Sequence, residues 1–414
     1  MQKKRHKRRR KQEKKMKIKN KGRKIYKTKE KNYYGKSPVG KAFSVGLTVL
    51  LIGGIGFIGY SVAEPIINYT KKKGDNDVSA IVTTASEQVT NENGEVISGE
   101  TAADDQSSSF EQYRAYALAP ADLLSSDALR TALKRVPAGE NIEYIEVPLK
   151  VSGGKIYYAS KVNMAVMSGA VQSQVELSDM VSIIGSAGYK PTAYISTFDD
   201  NIIPINYPET AYVTADDGSM WIDNNLEDGG KPWMSPFSDM AVSYNAAIAQ
   251  EAAGAGFEKV ICSDFVFPEF RQSDIEYLGE SVVANDRYMA LTSAANMMYE
   301  NVVNNGSSMM IEVSAADLLK GNSDIVQPML LSANSFVLDI DLDEISGGVY
   351  TADTVYEFDG TASENVDKML KLVNEDLADF NVAVRISGTS VSISELVKAK
   401  ESISKYGYSS FVIG

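Results

Sequence analysis

Acidic side chains beside apolar, β-forming segments are the residues of this chain best suited to chemistry. They are Asp199, Asp200, Asp264, Glu269, Glu312 and Asp317. Two carboxylates roughly 5 to 9 Å apart suffice to hydrolyse a glycosidic bond, and that reaction needs neither histidine nor metal. Asp264 and Glu312 are the candidate acids, because each lies among apolar residues where an unpaired charge would be costly to bury. Asp199 and Glu269 are the candidate partners, although a polar loop is the simpler interpretation of Asp199.

Two scarce residue types exclude other chemistries. The chain has one cysteine, Cys262, and one histidine, His6. Serine-histidine-aspartate triads, cysteine-histidine dyads and Cys/His zinc sites each need an imidazole or several thiolates, so none can form after His6. We therefore predict no cofactor and no metal site.

Three aromatic residues are candidate substrate-binding groups. Tyr194 lies in a β-forming segment, whereas Trp221 and Trp233 fall in a long loop at residues 198–237. Aromatic rings bury large areas and could stack on sugar rings. The two tryptophans could equally serve only to pack their loop.

Short apolar runs that alternate with helical patterns predict the elements that position these residues. The predicted strands are 113–119, 142–149, 191–197, 259–267, 308–313, 324–331, 382–387 and 410–414. Segments with three- and four-residue apolar spacing lie between most of them, two with N-caps predicted at Ser126 and Ser238. The alternation predicts an α/β fold, a (β/α)8 TIM-like barrel, whose active site would lie at the carboxyl ends of the strands. An open doubly wound sheet is the alternative, but the first strand is followed by no G-x-G-x-x-G.

The charge distribution predicts a membrane protein. Residues 1–41 hold 20 of the 42 Lys and Arg but only two of the 54 Asp and Glu. Residues 42–63 are 22 consecutive uncharged residues, enough for a transmembrane helix. The positive-inside rule places the basic tail in the cytoplasm and the acidic remainder outside, as a single-pass protein of the cell membrane. Cleavage of a signal peptide after Ala63 is the alternative.

The same charges indicate the partners. Next to a membrane span, the basic tail is most simply a topology signal that also contacts anionic lipid. The part after the span carries 22 basic and 52 acidic residues, which argues against nucleic-acid binding. Residues 64–110 are polar and predict a flexible stalk. The predicted organisation is thus a tail (1–41), a span (42–63), a stalk (64–110) and an extracellular domain (111–414).

One stretch resembles a known family. Residues 189–268 contain YKPTAYISTFDD, a D-G-x-x-W loop, KPWMSPFSDMAVSY and GFEKVICSDFVFP in that order. They are similar to the glycoside hydrolase-like barrel domain family called DUF4015, and the weaker matches LKVSGGKIYYAS and SDIVQPM extend the resemblance over roughly residues 113–414. The resemblance implies a glycosidase-type barrel that acts on polysaccharide.

Charged positions of the family pattern differ in this chain. The resemblance places Ser263 at the family's strand-four aspartate and Val266 at its arginine, so Asp264 lies one residue away. One step along a strand turns a side chain to the other face, so we expect Asp264 to face the helical layer unless a bulge re-aims it. Acids expected on strand two and after strand five fall at Pro148 and Ala316, and the strand-three arginine falls at Tyr194.

Two hypotheses follow, and a third is weaker. The protein is a membrane-anchored, extracellular glycoside hydrolase acting on cell-surface or cell-wall polysaccharide, or it is a catalytically inactive barrel that binds glycan or a protein partner. A purely structural cell-envelope protein fits the elaborate 198–237 loop less well.

Overall fold

The computed structural model describes residues 112–414 except 279–281, 283–286, 322–323, 334 and 378–379. Eight parallel strands close into a barrel, and the last strand pairs with the first through Arg114 and Phe411. The predicted (β/α)8 architecture is confirmed. The predicted tail, transmembrane span and stalk lie outside the described residues. Among the helices of residues 112–414 that the structure describes, none is long and apolar enough to cross a membrane.

The strands match the apolar runs of the sequence with one exception. In chain order the barrel strands are β1 (Arg114–Ala117), β2 (Tyr144–Lys150), β3 (Lys190–Ser196), β4 (Lys259–Ser263), β5 (Ser308–Ser314), β6 (Ser335–Asp341), β9 (Asn381–Ser387) and β10 (Ser410–Ile413). A small antiparallel pair, β7 (Val349–Tyr350) and β8 (Val355–Tyr356), follows β6.

The sixth predicted strand was wrong. Residues 324–331 form a loop with a 3-10 turn at Pro328–Leu330, and the sixth barrel strand is Ser335–Asp341. Proline has no backbone N–H for a ladder, so Pro328 disfavours a central strand. The predicted fourth strand was also too long: β4 ends at Ser263, because Asp264 adopts a φ of 56°. A left-handed residue cannot continue an extended strand.

Helices surround the strands, as the spacing of apolar residues predicts. They are α1 (Ser126–Leu133), α2 (Asn163–Met167), α3 (Leu177–Ser186), α4 (Ile203–Asn206), α5 (Asp239–Gly254), α6 (Gln272–Leu278), α7 (Arg287–Asn304), α8 (Ala315–Lys320), α9 (Leu342–Ile345), α10 (Ala362–Val373) and α11 (Ile393–Ile403). Ser238 caps α5 as predicted, whereas α1 is capped by Ser125 and not by Ser126.

Two apolar clusters hold the barrel together. The larger one packs the outward-facing strand residues against the helices. The smaller one is a ring inside the barrel made of Tyr113, Ala115, Tyr144, Ile261, Met310, Val337, Ala383 and Val412. Side chains on a strand alternate between its faces, so residues two positions after this ring also point inward, one layer nearer the carboxyl ends of the strands.

Candidate active site

The layer above the apolar ring is polar. Two residues beyond Tyr144, Met310, Val337 and Ala383 lie Glu146, Glu312, Asp339 and Arg385, and all four are buried or nearly so. The strand register pairs Asp339 directly with Arg385. The alternation that builds the apolar floor thus places three carboxylates and one guanidinium together inside the barrel.

Arg385 lies at the centre of this polar layer. Its Nε donates to Glu312 Oε2 at 2.6 Å, and its Nη2 donates to Glu146 Oε1 at 2.7 Å. Its guanidinium carbon lies 4.8 Å from the centre of the Tyr194 ring, and the Tyr194 hydroxyl donates to Glu312 Oε1 at 2.7 Å. Planar guanidinium and aromatic groups make such combined contacts readily. Glu312 therefore has a donor on each oxygen and a fixed orientation.

Burial and neighbouring charges shift the pKa values of Glu312 and Asp339 in this layer. Burial raises the pKa of Glu312, Arg385 opposes that effect and Glu146 adds to it. Arg385 can only donate a hydrogen bond, so Glu312 Oε2 is an acceptor, and the charge of Arg385 limits the rise in the pKa of Glu312. Burial and the charge of Glu312 raise the pKa of Asp339 well above its ordinary value. The two acids thus differ in their tendency to hold a proton.

Asp264 also points towards this layer, which corrects the expectation that it faces the helices. Its φ of 56° re-aims the side chain after β4 ends. The Ser263 hydroxyl donates to Asp264 Oδ2 at 3.0 Å, and the Ser196 hydroxyl lies near the same carboxyl. Burial raises the pKa of Asp264 to about 6, Ser196 opposes the rise, and Asp199 and Glu312 add to it. A partly buried carboxyl with this pKa is suited to general acid catalysis.

The remaining predicted acids lie in different surroundings. Asp199 is close enough to raise the pKa of Asp264, and it accepts a hydrogen bond from Ser152. Glu269 is exposed and lines a cleft of about 820 Å³ together with Asp317 and Trp233. The structure therefore brings Asp264, Glu312 and Asp199 together, and places Glu269 in an adjacent cleft.

The three predicted aromatic residues serve different contacts. Tyr194 is committed to Glu312 and Arg385, as described above. Trp221 is 5% exposed and packs edge-on against Tyr212 and Phe270, so it packs the loop. Trp233 is partly buried, its Nε1 donates to Asp223 Oδ2 at 3.0 Å, and it lines the cleft. Of the three, Trp233 has a ring available to a ligand.

Sequence reasoning missed Arg385, Glu146 and Asp339. Arg385 and Glu146 lay within predicted strands, and a charge inside an apolar strand signals that a buried partner exists. Asp339 could not be found, because the strand that carries it was predicted at 324–331. Among the residues that the structure describes, no group of His, Cys, Asp and Glu side chains is arranged to hold a metal ion.

Comparison with known proteins gives a family and a range of distant structural similarities. A hypothetical protein from Ruminiclostridium thermocellum is 18% identical, with 47% of this chain and 96% of that chain covered and a TM-score of 0.39. The GH20 exo-β-N-acetylglucosaminidase of Vibrio harveyi is 10% identical, with 66% and 41% covered and a TM-score of 0.43. The β-amylase catalytic domain of Paenibacillus polymyxa is 11% identical, with 73% and 92% covered and a TM-score of 0.42.

The chain spans less than half of the length of the Vibrio enzyme. These low similarities carry no conclusion about activity, and no curated protein matches the chain. The family model described as "Putative glycosyl hydrolase domain" matches residues 120–386, which is more than half of the chain. The chain therefore belongs to the DUF4015 family of glycosyl hydrolase-like barrel domains.

Proposed function

We propose that this protein is a glycoside hydrolase in which Asp264 is the general acid and Glu312 is the ionised partner. Asp264 would give its proton to the glycosidic oxygen as the bond from that oxygen to the sugar C1 breaks. Glu312 would either attack C1 or take a proton from the water that attacks it. The two routes leave opposite configurations at C1, which NMR of the first-formed product distinguishes.

The placement of Asp264 is the observation that carries this proposal. A left-handed backbone at a non-glycine residue costs about 1 kcal/mol or more, and such strain persists only where the surroundings over-determine it. Here the strain turns a carboxyl from the helical layer towards Glu312 and leaves it with a pKa of about 6. Glu312 accepts hydrogen bonds from Arg385 and Tyr194, and both favour its charged form against the rise in pKa that burial causes. In the proposed mechanism Asp264 carries the proton and Glu312 does not, as in other acid and base pairs of carboxyls.

The substrate is proposed to be a polysaccharide at the outer surface of the cell. Support comes from the family, from the cleft beside the barrel mouth and from the uncharged segment 42–63 after a basic tail. A membrane anchor would keep the barrel next to the cell wall, with the basic tail on anionic lipid.

A catalytically inactive barrel that binds glycan is the second candidate. It is favoured by the engagement of both Glu312 and Glu146 by one arginine, which a purely structural ion-pair network would also produce. Its binding surface would be the cleft that Trp233 lines.

Hydrolysis by the full-length protein decides between the two candidates. Wild type, Asp264→Asn and Glu312→Gln are incubated with a panel of cell-wall polysaccharides, and reducing ends are measured. Exposed Asp353→Asn and Glu300→Gln are the matched controls. We expect activity in wild type and both controls, loss in both test variants, and a decline above about pH 6 as Asp264 loses its proton. Binding without hydrolysis in wild type would establish the inactive barrel instead.

A further inference from the structure

A second buried polar cluster lies on the outer side of the barrel, between the strands and α5. Its centre is Lys150, the last residue of β2, which has no exposed surface. The Lys150 Nζ donates to the carbonyls of Ser196 at 2.8 Å and Thr197 at 3.0 Å, and to Asn245 Oδ1 at 3.2 Å. An ammonium group has three N–H bonds, so these acceptors use all of them.

Asp200 supplies the opposite charge. Its Oδ2 lies 3.1 Å from the Lys150 Nζ, and Asp200 is also fully buried. Its Oδ1 accepts from the backbone N–H groups of Ile202 and Ile203 at 2.9 and 3.0 Å. Because the three ammonium protons are already used, Asp200 compensates the lysine charge without a directed hydrogen bond.

A glycine turn makes room for this pair. Gly154 has a φ of 90°, and a Cβ at that position would lie 2.2 Å from Asp200 Oδ1. Only glycine fits there, since any side chain would collide with the buried carboxylate. The second glycine of the LKVSGGK segment is thereby explained as a requirement of the Lys150–Asp200 pair.

The carbonyls that Lys150 holds belong to the segment that fixes Asp264. Ser196 pairs with Ser263 in the β3–β4 register, and the Thr197 N–H donates to Ser263 O at 3.0 Å. The Phe198 N–H then donates to Asp264 O at 3.2 Å. The Ser196 hydroxyl also lies close enough to the Asp264 carboxyl to oppose the rise in its pKa. Lys150 thus does not touch Asp264, but it holds the carbonyls of two consecutive residues, Ser196 and Thr197, and the next residue, Phe198, bonds to the Asp264 backbone.

We propose that Lys150, charge-balanced by Asp200, is a positioning residue that holds the end of β3 so that Asp264 keeps its left-handed, inward-facing conformation. The inference rests on the proposed role of Asp264 as an acid. It assigns catalytic importance to a lysine on the far side of the strand from the reacting groups.

The test replaces the pair without leaving a buried charge. Lys150→Met with Asp200→Asn removes both charges together. Lys150→Met alone would leave Asp200 buried without a counter-charge. Lys155→Met, an exposed lysine on the same turn, is the matched control. The full-length protein is labelled with 13C at aspartate carboxyls, and Asp264→Asn identifies the Asp264 signal for titration by NMR.

We expect the double variant to fold and the measured pKa of Asp264 to rise by about 0.5 or more, because the Ser196 hydroxyl no longer lies where it favours the charged form. On a polysaccharide that wild type cleaves, kcat should fall about tenfold or more with KM within about threefold, as misplacement of a reacting group predicts. Absence of hydrolysis in wild type would refute the proposed function alone, since the titration still tests the positioning. An unchanged pKa of Asp264 in the folded double variant would overturn the inference. Failure of that variant to fold would also overturn it, because the Lys150–Asp200 pair would then be required for the stability of the fold.

Discussion

The guanidinium of Arg385 joins two acids across the barrel: its Nε lies 2.6 Å from Glu312 and its Nη2 lies 2.7 Å from Glu146. All three side chains are less than 10% exposed. Buried charges of this kind are tolerated because each is paired. Removal of one partner leaves the others buried without a counter-charge.

Arg385→Met should therefore destabilise the fold strongly. We expect a loss of about 3–5 kcal/mol in the free energy of unfolding at pH 7.5, measured by urea denaturation, because two buried carboxylates lose their counter-charge. Arg130→Met, on the exposed face of α1, should change it by less than about 0.5 kcal/mol. Equal effects of the two variants on the free energy of unfolding would show that water solvates the polar layer around Arg385 and that its ion pairs add little stability.

Asp264 should make stability depend on pH in a defined direction. Its pKa is raised from 3.8 to about 6 in the folded protein, so the folded state binds the proton more tightly than the unfolded state. The stability from this proton is fully present below about pH 4 and is lost as pH rises to about 6. Asp264→Asn should thus raise the free energy of unfolding at pH 7.5, by at most about 3 kcal/mol, and have a much smaller effect at pH 4.

Thermal unfolding of wild type and Asp264→Asn at the two pH values measures this difference. Asp353→Asn, in the exposed turn between β7 and β8, is the control and should show no such dependence. An Asp264→Asn effect that is the same at both pH values would mean that the carboxyl is not desolvated.

The barrel was predictable from sequence because its strands are runs of mostly apolar residues, and seven of the eight predicted strands coincide with observed ones. The site was predictable only in part. Glu312 stood out as a charge among apolar residues. The inward position of Asp264 depends on a φ of 56°, and no sequence pattern specifies that angle. Glu146, Asp339 and Arg385 meet only when the barrel closes, because their strands are far apart in the chain.

The two tryptophans should respond differently to truncation. Trp221→Ala removes a buried ring and should cost about 3–5 kcal/mol of stability. Trp233→Ala should leave stability closer to wild type and lower the affinity for soluble cell-wall polysaccharides by about tenfold, because a stacked ring contributes contact energy. Calorimetric titration and urea denaturation of both variants measure the difference. If only the Trp221 variant lost affinity, and it kept its stability, Trp221 and not Trp233 would be the glycan-binding residue.

The predicted membrane topology can be tested on intact cells. Protease added from outside should remove the barrel domain and leave residues 1–41 protected, because the basic tail is predicted to be cytoplasmic. Epitope tags before residue 42 and after residue 414 report the two ends. Digestion of the N-terminal tag would overturn the orientation, and release of an untruncated barrel into the medium without protease would favour cleavage after Ala63.

The role of Asp264 as general acid is the central claim, and the leaving group of the substrate tests it most directly. A polysaccharide leaving group needs a proton, whereas 2,4-dinitrophenolate does not. For Asp264→Asn we predict a fall in kcat/KM of about 10²-fold or more on the polysaccharide that wild type cleaves, but less than about tenfold on the 2,4-dinitrophenyl glycoside of the same sugar. Glu312→Gln should lose both activities. Equal losses of Asp264→Asn on the two substrates, or no hydrolysis of either by wild type, would contradict the account.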